Sequence, residues 1–277
     1  MWYERIEDDS DIDLLCNHLA ERGLFRAVAD CKIAFEKSGV YGGTYPVLRD
    51  GAGRQFLVIV DCRGAKAMRA EFTFWHELAH VIIDPRINLG TLAIDDGSAG
   101  DGRKSAREWL VDRIAGHLAF LPSLFKPMVA EKCKEFENIF CIELVDSLRQ
   151  AFNPSASKQM TSFALLDNCD FPLVYLEAEI RSKRGSNIQE LRLAVNYANE
   201  SAKAAGIRFG KNMRVPTDSA IWNSYYGDSD KNVLMDEDLK NWTFSDGTDL
   251  GQRNVHICAR RYDTEEGYTR VRAFVWD

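Results

Sequence analysis

His76-Glu77-Leu78-Ala79-His80 spells H-E-x-x-H. On a helix, residues four apart lie about 40° apart around the axis. Both imidazoles can then point at one ion while Glu77 stands beside it. Two imidazoles and an open position suit tetrahedral zinc. Glu77 would take a proton from a water that the metal acidifies, and the water's oxygen would attack a peptide carbonyl. Composition alone gives about 0.006 such motifs in a chain of this length. The bland reading is two partly exposed helix histidines with a surface glutamate. The flanks oppose it. Phe72-Thr73-Phe74-Trp75 precedes and Val81-Ile82-Ile83 follows, so the helix is apolar on most sides. Unpaired His and Glu are out of place there.

Zinc needs a third protein ligand. Glu108 is the candidate, with Asp112 one turn later on the same face. A carboxylate at that spacing can hold a ligand histidine through its other ring nitrogen. Ser105-Ala106-Arg107-Glu108 is also a capping box, in which Glu108 would only satisfy a helix start. Asp84, Asp95, Asp96 and Asp101 are weaker alternatives on the connecting loop. His117 lies about half a turn round the helix from Glu108 and faces away. His18, in an amphipathic helix, and His256, in an alternating strand, read as structural. No Cys-His or Ser-His-Asp spacing emerges, and no glycine-rich phosphate loop follows a strand. Ligand type alone also admits manganese or iron.

The elements that must position these residues follow from patterning. Residues 10–23 read as a helix, with Leu14, Leu15 and Leu19 at helical spacing. Cys31 to Glu36 alternates as a short strand. Tyr41-Gly42-Gly43-Thr44-Tyr45-Pro46 reads as turn material. Gln55 to Asp61 is apolar and β-branched enough for a buried strand. A helix from about Ala67 to Ile83 stops at Asp84-Pro85. Residues 84–104 form a long loop with a glycine-rich centre, and 105–121 the next helix, ended by Pro122. More helices follow to about 167. Beyond 171 the pattern alternates at 174–181, 191–195, 255–259 and 271–275, with a short helix at Ser219 to Tyr226. That predicts a separate domain on an antiparallel sheet with one wet face. The expected class is α+β.

The chain has 277 residues, enough for roughly two domains. Thirty-five basic residues against forty-two acidic ones give a formal charge of −7 and a pI near 5.4. Strong, charge-driven nucleic-acid binding is not expected. Phe56 to Val60, the most apolar run, is far short of the ~18–20 residues of a membrane span. The start is acidic and lacks an apolar signal core. Seven cysteines without a C-x-x-C pair read as reduced core thiols of a cytoplasmic protein.

Glu71 to His80, with its Phe72-Thr73 step into the zinc helix, resembles the ImmA/IrrE metallopeptidases. So does Glu108-Trp109-Leu110-Val111-Asp112-Arg113-Ile114-Ala115-Gly116-His117-Leu118-Ala119-Phe120-Leu121-Pro122, with its Glu, its Asp four residues on and its closing proline. The strand Phe56 to Asp61 and the Tyr41-Gly42-Gly43 turn also look like the family's, and Leu148 to Ser157 is similar to its helix-turn-helix-like piece. The resemblance implies a zincin-like metallopeptidase domain over 1–127, a helix-turn-helix-like connector over 128–170, and a GAF-like domain over 171–277. It also implies a cytoplasmic, site-specific zinc endopeptidase that cleaves a helix-turn-helix transcriptional repressor, in stress response or mobile-element regulation. Glu77 would be the base, and His76, His80 and Glu108 would hold zinc. The substrate segment would lie beside an edge strand, for which Gln55 to Asp61 is the candidate. Tyr41 and Tyr45 are the oxyanion-donor candidates, with core or turn packing the competing role. Trp75 stands where the family has a small residue, which would narrow the cleft. Two other functions fit: a non-enzymatic regulator with a structural metal and a small ligand at its C-terminal domain, or a toxin–antitoxin component.

Overall fold

Phe56 to Val60 is the stretch around which the first part of the molecule is built. All five residues are buried, as a near-continuous apolar run requires of a strand covered on both faces. The computed structural model describes residues 2–21, 41–48, 54–83, 106–182, 187–227, 231–244, 246–264 and 267–277. The expected strand Cys31–Glu36, the loop 84–104 with its aspartates, and Ser105 of the capping box lie outside them. The protein is α+β, with two sheets among the described residues. It divides into two compact units: Met1–Leu121 with Ser155–Ser157, and Pro122–Pro154 with Lys158–Asp277. The expected three-part division at 127 and 170 thus meets a boundary at 121, and the helices over 122–168 share a unit with the second sheet.

In the first unit, β1 (Trp2–Ile6), β2 (Gly42–Leu48) and β3 (Arg54–Asp61) form a sheet in the order β1-β3-β2. β1 runs parallel to β3 and β2 antiparallel to it. Residues 42–46 are not a turn but the start of β2, with Tyr41 just before it; among the described residues β2 is an outer strand, where Pro46 is tolerated. Gln55 to Asp61 is not an edge, because β1 and β2 take both of its sides. Among the described residues the outer strands of this sheet are β1 and β2.

Helix α1 (Asp9–Glu21) starts where the Asp8 carboxylate accepts the Ser10 amide at 2.8 Å. At the end of β3 the fully buried Asp61 accepts Arg63 at 2.8–2.9 Å and Lys66 at 2.6 Å. These bonds pin a 3-10 turn, Gly64–Arg69, which Gly64 enters at φ +51°. α2 (Ala70–Ile83) follows directly. Its Phe74 and Val81 pack with Ala70 on Val58, Val60 and Cys62 of the sheet. Its Phe72, Trp75 and Ile83 pack with Ala79 on Val111 and Ala115 of α3 (Ala106–Ala119). Trp75 is therefore part of the helix–helix contact.

In the second unit, α4 (Pro122–Glu135), α5 (Ile142–Phe152) and α6 (Lys158–Asn168) precede the sheet. Pro122, expected to end one helix, opens the next, where its missing N–H costs nothing. β4 (Leu173–Ser182), β5 (Gln189–Ala198), β6 (Val233–Asp238), β7 (Asn254–Asp263) and β8 (Thr269–Trp276) pair antiparallel in the order β5-β4-β8-β7-β6. α7 (Glu200–Ala204) and α8 (Ala220–Tyr226) lie over the face carrying Leu176, Ile257 and Ala273. The opposite face is not wet along its length, contrary to expectation. Tyr175, Glu177, Cys258 and Phe274 on it are buried. The helical segment covers part of it, with Phe163 edge-on to Tyr175 and Phe140 edge-on to Trp276. Its polar residues pair with each other: Tyr175 donates to Glu177, and Arg272 reaches Glu177 at 3.0 Å. Asn199 ties the layers together. Its amide nitrogen donates to the carbonyls of Leu166, Cys169 and Phe171, and its oxygen accepts the amides of Leu173 and Ala202. The six described cysteines are buried thiols, and burial pushes that of Cys258 up to about 12. No helix among the described residues is long and apolar enough to cross a membrane.

Candidate metal centre

α2 supplies His76, Glu77 and His80, and α3 supplies Glu108 and Asp112. Ala79, Val111 and Ala115 are fully buried between the two helices. Small side chains at that contact let the helices approach closely. One donor atom from each of His76, His80 and Glu108 lies within 4.8 Å of the others. His76 Nε2 is 3.2 Å from His80 Nε2 and 3.4 Å from Glu108 Oε2, and His80 Nε2 is 3.5 Å from Glu108 Oε1. Ligands at ~2.0–2.1 Å from a tetrahedral ion stand about 3.3–3.4 Å apart. The two imidazole nitrogens stand at that spacing, and the Glu108 carboxylate turns one oxygen toward each of them, so the three side chains converge on one point with room for water or substrate beside them. The donor set and its spacing fit zinc.

Asp112 Oδ1 lies 3.0 Å from His76 Nδ1. A neutral His76 then carries its hydrogen on Nδ1 and turns the Nε2 lone pair toward His80 and Glu108. Glu108, at the start of α3, is the most exposed of the three donors. His117 is exposed on the same helix. His256 pairs with Asp236 at 2.6 Å on the second sheet. The side chains of His18 and Tyr45 are outside the described set. The Tyr41 ring carries the Arg69 guanidinium 4.7 Å from its centroid, a packing role.

Burial opposes a charge on His76, but the bond to Asp112 and the negative charges of Glu77, Asp112 and Glu108 outweigh it and raise its pKa. Burial lowers the pKa of His80, helped by the charges of His76 and Arg107 and resisted by Glu108. Burial also lifts the Glu77 carboxyl above the ordinary carboxylate range, against the pull of Thr44 and His76.

Residue-type reasoning missed two contributors. Thr44 Oγ1 on β2 lies 2.8 Å from Glu77 Oε2. Gly42, on the same face of β2, lies so close to α2 that a Cβ there would sit 2.5 Å from Thr73 Cγ2 and 3.2 Å from Glu77 Cγ. Reading 41–46 as a strand would have shown the signal: positions 42 and 44 share one face.

No family model matches the chain, and no curated protein matches it. Among solved structures, it is similar to a Mycobacterium tuberculosis transcriptional regulator at 13% identity and a TM-score of 0.46, over 97% of this chain and 76% of that one.

Proposed function

We propose that the protein is a zinc-dependent endopeptidase with a zincin-like first unit of the ImmA/IrrE type. Its substrate is a helix-turn-helix transcriptional repressor, cut at one site in the cytoplasm in stress response or mobile-element regulation. The observation that carries this reading is the convergence of His76, His80 and Glu108, with one donor atom of each within 4.8 Å of the others, beside the buried carboxyl of Glu77. His76, His80 and Glu108 would hold the ion, and Asp112 would keep His76 in the tautomer that offers Nε2. When bound, zinc supplies Lewis acidity that brings a water near its pKa at neutral pH. Glu77 takes the water's proton and returns it to the departing amine.

The second unit fits a regulatory role in the same proposal. Its antiparallel sheet with α7 and α8 on one face supports a GAF-like domain that takes a small ligand. α5 and α6, joined by a short turn, are the helix-turn-helix-like piece. Met160, Thr161, Ala164, Leu165 and Leu166 of α6 are buried, so this helix serves packing rather than a DNA groove.

The test is incubation of zinc-loaded protein with helix-turn-helix repressors of its host, read by mass spectrometry. Wild type should cut one repressor at a single bond. Glu77→Gln should keep its zinc and cut at least 10²–10⁴-fold more slowly. Equal cleavage by Glu77→Gln would overturn the proposal.

A further inference from the structure

β2 brings one polar side chain to the base, and it comes from far away in sequence. Thr44 Oγ1 lies 2.8 Å from Glu77 Oε2 and 3.0 Å from the backbone oxygen of Glu77. A hydroxyl has one hydrogen to donate. Both of its acceptors here belong to Glu77, so it follows that residue whichever oxygen it serves. The strand that carries it is fixed. Thr44 pairs with Val58 and Gly42 with Val60. Both valines are fully buried under Phe74 and Val81 of α2. Gly42 sets the approach, because any Cβ would strike Thr73 and the Ile59 carbonyl at 2.5 and 2.9 Å. Helix, strand and hydroxyl therefore form one rigid support for a carboxylate that has little room of its own.

We propose that Thr44 is a positioning residue for the reaction: its hydroxyl holds the Glu77 side chain by Oε2 and leaves Oε1 as the oxygen that takes the proton. This rests on the reading of Glu77 as the base. The alternative is that the hydroxyl merely satisfies a buried acceptor. The two differ in what a conservative replacement restores, since a group held in productive geometry loses up to about 100-fold when misplaced by an ångström.

The probe is acetohydroxamic acid, which chelates zinc through two oxygens while passing its proton to a neighbouring base. Titrated into zinc-loaded protein, it should bind wild type and Thr44→Ser within about threefold of each other. Thr44→Val and Glu77→Gln should bind about tenfold or more weakly at unchanged zinc content. Thr44→Val binding as tightly as wild type would overturn the proposal, as would Thr44→Ser binding as weakly as Thr44→Val. Crystal structures of the metal-free variants give a second, independent answer. The Glu77 carboxylate should be displaced in Thr44→Val and in place in Thr44→Ser; a carboxylate in place in both overturns the proposal. Should Thr44→Val fail to fold, Thr44→Ala replaces it in both measurements. If wild type does not bind the probe, the peptidase reading fails, while the crystal structures still decide the role of Thr44.

Discussion

Among the described residues are two histidine–aspartate pairs, one in each unit, and they have opposite surroundings. His76 Nδ1 meets Asp112 at 3.0 Å, and the far nitrogen of the ring faces His80 and Glu108. His256 Nδ1 meets Asp236 at 2.6 Å, but 51% of that histidine and 78% of that aspartate are exposed. The His256 ring lies 5.5 Å from Trp276, and among the described residues no third donor joins it. The shorter bond is thus in the exposed pair that no third donor joins among the described residues. Convergence on the second nitrogen makes a site, and that depends on two helices packed through Ala79, Val111 and Ala115.

Removing a ligand should have the largest effect. His76→Ala should lose zinc by far more than the ~10–100-fold that loss of an outer partner costs. His256→Ala should keep it, as elemental analysis after dialysis would show. The carboxylates come next. Asp112→Asn should weaken zinc binding about 10–100-fold in a chelator competition, and Asp236→Asn should leave it unchanged. Third, zinc affinity should fall with acidity, starting above the ordinary imidazole value of 6.5. The pKa of His76 is raised, so protons displace metal there first, and the lowered pKa of His80 keeps that residue neutral longer. In Asp112→Asn the main group raising His76 is gone, so the acid step should move to lower pH. Measured at several pH values, an unmoved step would contradict this assignment. In metal-free protein the raised His76 stabilises the fold below pH ~6.5 and loses that contribution as pH rises through its folded value.

The smallest expected effect concerns support rather than ligation. Asp61→Asn leaves Arg63 and Lys66 facing a neutral group at the entry to α2. Arg63 keeps Asp9 as a partner and both cations are partly exposed, so the substitution should cost about 1 kcal/mol by thermal or denaturant unfolding and leave the donor set intact. The Asp61 carboxyl is buried, but Arg63 and Lys66 hold it below the usual carboxylate range. Its contribution is therefore present above pH ~4 and lost as pH falls through its folded value.

What the sequence made legible divides along the same line. H-E-x-x-H, the Glu108/Asp112 step and the alternating strands of the second unit are local periodic patterns, and side-chain period follows from backbone geometry. β2 was not legible, because Gly42, Gly43 and Pro46 carry turn propensity, which edge pairing to β3 overrides. The central position of β3 was hidden because β1 pairs with it across more than fifty residues. β6, Val233–Asp238, ends in Asp-Glu-Asp and lacks an apolar alternation. Its Glu237 is buried because it accepts Trp242 Nε1 at 3.0 Å and the Ala220 amide at 2.6 Å, two partners that only the fold brings near. Thr44 belongs to the same class: nothing in its neighbourhood in sequence points to Glu77.

The most direct test of the account is zinc per chain, by elemental analysis of untagged protein purified without chelator. About one equivalent is expected in wild type and in Glu77→Gln, and close to none in a His76→Ala/His80→Ala double variant that remains folded. Equal zinc in all three, or none in folded wild type under any loading condition, would contradict it.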